Sequence, residues 1–290
     1  MAKKKSKAKK KPARDPEQTR RAVIGVAMTV GALAVLAGGA LGLTRVNAAA
    51  AQAMGTEPHA IEIVWPQIES TPGSTWLPAS EKARLLGLAE LAARGGSPLS
   101  AEPLAEISRA LQAEGWFSET PRVRRVASGE IRVEGDWRIP AAVVRTGTRE
   151  RLVSWEGVPL PLEYTTGASR VRYLAEPSVP AITPGHAAGT PWPGSDIADG
   201  LALLDVLDDD PALIAQVHGL DLNSGSHIEI VTDRGTRVRW GLGPKRFQPG
   251  ERTTGEKLTR LRYLLEQTGR IDGNAKLIEI DGPQVLIVND

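Results

Sequence analysis

The stretch "SAEPLAEISRALQAEGWF", residues 100–117, has the frame of one short amphipathic helix. Ser100 stands where a cap belongs, and Pro103 falls in the first turn, where its missing N–H costs little. Leu104, Ile107 and Leu111 recur at helical spacing and Gly115 ends the run. The preceding stretch, "PASEKARLLGLAELAARGG" (78–96), repeats the arrangement with Ser80 as cap, Leu85, Leu88 and Leu91 at helical spacing, and Gly95 and Gly96 as the stop. Two short helices in succession follow.

Strands flank this pair. "AIEIVWP" (60–66) alternates β-branched residues and closes on proline, and after the helices come "RVRRVAS", "EIRVEGDW", "IPAAVVRT" and "RLVSWEGVPLP", the last turning at Trp155-Glu156-Gly157. The order β-α-α-β-β predicts a compact unit in which two helices cover one face of a small sheet. Further on, "DGLALLDVLDDDPALIAQVHGLDL" (199–222) reads as a helix and a strand start, and "HIEIVTDRGTRVRWG" (227–241) as a hairpin turning at Asp233-Arg234-Gly235. "EKLTRLRYLLEQ" (256–267) is an amphipathic helix with Leu258, Leu261, Leu264 and Leu265 on one face, and "AKLIEIDGPQVLIVND" (275–290) holds two apolar β runs.

The 290 residues suffice for two folded units, and the absence of cysteine removes disulfides and thiolate metal sites. The net charge of +2 conceals a division. Residues Met1 to Arg21 hold ten Lys or Arg against two acids, a surplus of eight, so the other 269 residues sum to 2 − 8 = −6. The basic part is a tail, expected to be disordered, and it has no interleaved aromatics of the kind that would suggest nucleic acid. Ala22 to Leu43 carries no charged residue and is long enough to cross about 30 Å of hydrocarbon as a helix. The expectation is a single-pass membrane protein with residues 1–21 cytoplasmic, 22–43 spanning, 44–59 a linker, and the bulk outside. A cleaved signal peptide with "NAAAAQA" (47–53) as its processing site is the alternative, and the apolar run is longer than such peptides use.

At this point the order of elements resembles the FtsQ/DivIB family of cell-division proteins. The residues that carry the resemblance are the β-α-α-β-β order ending in Gly115-Trp116-Phe117, the stretch Arg138-Ile139-Pro140-Ala141, and "RLVSWEGVPLP", where Ser154 replaces the family's Asp. "VPAITPG" (179–185) is similar to the family's start of its β-domain, and "AKLIEIDGPQVLIVND" to its last two strands. The resemblance implies a POTRA domain over 60–135, an FtsQ-type mixed α/β domain over 136–290, and a place in the cell inner membrane at the septum. It also implies a non-enzymatic scaffold that recruits FtsB-like and FtsL-like small coiled-coil membrane proteins and other divisome proteins. The docking edge would be the strand of Val285, Leu286, Ile287 and Val288.

The residues support the same use independently, because an unprotected sheet edge invites a partner strand. A POTRA-bearing envelope-assembly or secretion component is one alternative. A cell-wall enzyme is another; it would require paired carboxylates or a metal, and activity abolished by changing Asp233 or Asp281 would mark it.

Other possible sites have ordinary explanations. The four histidines, His59, His186, His218 and His227, show no metal-ligand spacing, and no cofactor motif is present. Asp208 to Asp210 lack the Gly and distal Glu of a calcium loop. Ser224, Ser226 and His227 lie outside any nucleophile elbow, and "GLGPKRFQPG" (241–250) departs from phosphate-loop spacing. Of the seven tryptophans, Trp116 is expected in the core and Trp192, beside prolines, at a surface or domain contact.

Overall fold

A computed structural model describes residues 60–68, 74–94, 100–127, 129–179, 182, 186–246 and 248–288. The first strand, β1 (Ile61–Ile63), is followed by helices α1 (Ala79–Ala93) and α2 (Glu102–Ala113) and by strands β2 (Arg122–Arg125) and β3 (Ile131–Glu134). These strands form a three-stranded sheet in the order β1-β3-β2, with β1 parallel and β2 antiparallel to β3. Ile63, Ile131 and Val133 are buried on one face together with Leu85 and Ala89 of α1 and Ile107 and Leu111 of α2.

Two local expectations change. Ser80 does not cap α1; Pro78 is the residue before the helix and no side chain caps it. Leu91 is exposed, so the buried stripe of α1 runs through Glu81, Leu85 and Ala89. Glu81 is tolerated inside because it accepts from Trp116 Nε1 at 2.7 Å and from Arg84.

The remaining strands are β4 (Pro140–Thr146), β5 (Arg149–Ser154), β6 (Pro159–Thr165), β7 (Tyr173–Ala175), β8 (Val217–Asp221), β9 (Ile228–Thr232), β10 (Arg237–Gly241), β11 (Leu277–Glu279) and β12 (Leu286–Val288). They make a nine-stranded sheet in the order β12-β11-β10-β9-β8-β7-β4-β5-β6. Helices α3 (Asp196–Asp208), α4 (Pro211–Ile214) and α5 (Thr254–Thr268) supply Leu201, Leu204, Leu213, Leu261 and Leu264 to a core shared with Leu220, Ile230, Val238, Trp240 and Ile278 of the sheet. Trp192 belongs to this core and not to a surface. It is buried, and its indole N–H donates to the Val179 carbonyl at 2.9 Å. Ser154 is also buried, and its hydroxyl accepts from Val158 N across the Gly157 turn.

The single-pass architecture expected from the sequence is corrected here. Among the described residues no helix is long and apolar enough to cross a membrane. α1 and α5 have 15 residues each, which at the helical rise spans roughly 22 Å of the ~30 Å required, and both carry charges throughout. The stretch Ala22–Leu43, on which the span was placed, lies outside the described residues, as do the tail, the linker and His59. The lipid bilayer as a partner, the inner-membrane location and the inside orientation of the N-terminus fall with the same finding.

Candidate functional site

β12 occupies one end of the nine-stranded sheet, and among the described residues no strand lies beyond it. It pairs antiparallel with β11 through Leu277↔Val288, Ile278↔Ile287 and Glu279↔Leu286. Directly paired residues share a face. Ile287 therefore lies on the face of Ile278, toward α5, whereas Leu286 and Val288 lie on the opposite face with Leu277, Arg237, Arg239 and Glu279. Leu286, Ile287 and Val288 are 54%, 52% and 43% exposed, an apolar run on both faces of a sheet edge. Val285, the first of the four residues singled out from the sequence, precedes the strand and packs against the core.

The support beneath this edge comes from α5. Its N-terminus has a capping box: the Thr253 side chain accepts from Glu256 N, and the Glu256 carboxylate accepts from Thr253 N. Leu261 and Leu264 seat the helix on the sheet. From its flank Arg260 reaches the reversal before β12, where it donates to the carbonyls of Ile280, Gly282 and Pro283. Arg252, just before the helix, adds a bond to Pro283 and a backbone bond to Asp281. Sequence reasoning missed both arginines, because a guanidinium that meets carbonyls 20 to 31 residues away leaves no local pattern.

The other end of the sheet has opposite chemistry. β6 begins at Pro159 and contains Pro161 in the stretch where its register with β5 shifts. Edge strands, strand starts and bulges are where a sheet admits proline, and neither residue has an N–H to offer an added strand. Further along, Glu163 is held by Arg149 and Arg151, which places charge on the same edge. Prolines and charges are what protect natural edges from added strands, and Val285 to Val288 contain neither.

The remaining candidates resolve into local structure. Ser226 Oγ lies 3.0 Å from His227 Nδ1, and His227 Nε2 lies 3.2 Å from Glu229, the order of a nucleophile, base and orienting acid. Yet the Ser226 hydroxyl is nearer the Asn223 carbonyl, at 2.8 Å, and Glu229 is bound by Arg237. The N–H groups of Gly225 and Ser226 are already given to Leu222 and Asn223. Ser224 lies in the 3₁₀ turn Asn223–Gly225. Asp208 closes α3, and Asp210 caps α4, accepting from Ala212 N and Leu213 N; a hydrogen bond from Arg262 holds its carboxyl below the usual range.

His218 stands edge-on to Tyr173, and His186 meets the Thr190 carbonyl. Arg246, in the 241–250 connection, pairs with Asp199. Asp233 pairs with Arg270, and Asp281 with Arg239. Among the described residues no group of three His, Asp or Glu is placed to hold a metal.

No protein-family model matches the chain, and no curated protein matches it. Among solved structures, the chain is similar to the major extracytoplasmic domain of the trans isomer of the bacterial cell-division protein DivIB from Geobacillus stearothermophilus. Identity is 14%, the match covers 37% of this chain and 81% of that one, and the TM-score is 0.27. A likeness this weak decides neither fold nor function.

Proposed function

We propose that this chain is a non-catalytic interaction module of the bacterial cell-division machinery, and that β12 recruits a protein partner by accepting an added strand. The observation that carries the proposal is the contrast between the two ends of one sheet. β6 carries proline and charge, whereas β12 is apolar and exposed and, among the described residues, has no strand beyond it. Main-chain bonds to β12 supply affinity, and contacts with Ile287 on one face and Leu286 and Val288 on the other supply specificity. The element order read from the sequence directs the choice of partner toward division proteins. On the same reading residues 60–135 are a POTRA-type unit and residues 136–290 an FtsQ-type β-domain.

Affinity capture tests this with the intact chain and two variants, Leu286→Pro and Ile287→Pro, each checked by circular dichroism. Consecutive residues of a strand direct their N–H groups to opposite sides, so one of the two prolines removes an outward donor and leaves the β11 ladder in place. Division proteins retained by the intact chain and lost from that variant are the expected result. Equal retention by all three folded chains would show that the edge is not the docking site.

A further inference from the structure

We propose that Arg260 is the positioning residue that sets the register of the docking edge, an inference that rests on the reading of β12 as that edge. The strand cannot fix its own register. A slip of one residue moves every side chain to the opposite face, and a strand resists it only where one face is apolar and the other polar. Leu286, Ile287 and Val288 are apolar in succession and all exposed, so a slipped pairing offers the same apolar surface on both faces. The ladder to β11 is three residue pairs long, and only Val285 reaches the core.

Register is therefore specified by the reversal from Ile280 to Val285. One nitrogen of Arg260, Nη1, donates to the Ile280 carbonyl at 2.7 Å and the Gly282 carbonyl at 2.6 Å, and Nη2 donates to Pro283 at 2.9 Å. A guanidinium presents its donors in a rigid planar fork, so three carbonyls that satisfy it together are held in one arrangement. The helix that carries it is itself fixed by its capping box and by Leu261 and Leu264. The residue at which β12 begins is thus set from α5.

The chain has no cysteine, so introduced pairs report register cleanly. Glu279→Cys with Leu286→Cys marks the observed register, and Glu279→Cys with Ile287→Cys marks a slip of one residue. With Arg260 present, mild oxidation closes the first pair and leaves the second open. Arg260→Met keeps a long side chain and removes the donors; the expected result is several-fold slower closure of the first pair and measurable closure of the second. Arg260→Lys, which keeps charge without the fork, falls between.

Should Arg260→Met fail to fold, Arg260→Lys carries the same comparison. Closure rates in the folded variant indistinguishable from those with Arg260 would overturn the proposal. No partner takes part in the measurement, so its outcome is separate from that of the capture experiment.

Discussion

At the scale of single residues, the buried carboxylates determine how the protein responds to acid. Glu150 is almost wholly buried; burial pushes its carboxyl up, but hydrogen bonds from Gly167 N, Arg145 and Ser169 outweigh that and hold it below the usual range. Glu81 and Asp272 show the same balance, with Arg84 and Trp116 acting on the first and Arg270, Asn274 N and Thr232 on the second. A carboxyl lowered in the folded state contributes stability that is fully present above its unfolded value, about 4, and is lost as pH falls through its lower folded value. The melting temperature should therefore drop as pH is taken below about 4. Glu150→Gln should cost about 1.5 to 3 kcal/mol at neutral pH, as expected for lost bonds to a charged group, and should make the acid decline shallower. Thermal unfolding of both chains across pH measures this, and an unchanged acid limb in Glu150→Gln would contradict it.

At the scale of elements, helices were the most legible part of the sequence. Ile107 and Leu111 at helical spacing gave α2, and Leu261 and Leu264 gave α5, because a helix records its buried face within a few residues. The cap of α5, Thr253 with Glu256, is equally local, although the sequence reading began the helix at Glu256 and did not include it. Thr253→Ala should cost about 1 kcal/mol by urea denaturation, with the helix otherwise kept; no loss would mean that the capping box adds nothing.

Strands were legible only in part. β7 has three residues and is inserted between β4 and β8 by parallel pairing, a placement that depends on neighbours distant in sequence. Trp192 was misplaced for a related reason: its flanking prolines suggested a surface stretch, whereas its burial depends on Val179 and on helix α3.

At the scale of the whole molecule, the proposed docking depends on which sheet ends are open. The run Val285 to Val288 was visible in the sequence, and the structure places Leu286 to Val288 at an exposed end. The protection of the opposite end was not visible as such. Pro159 and Pro161 read as part of a short β run after the Gly157 turn, and only the order of nine strands shows that this run is an end strand.

The decisive event is the addition of a partner strand to β12. Amide hydrogen exchange, compared for the chain alone and bound to a partner isolated by capture, tests this most directly. Protection gained at the β12 amide or amides that point away from β11, with little change along β6, is the predicted result. Unchanged exchange throughout Leu286 to Val288 with protection appearing elsewhere would contradict it.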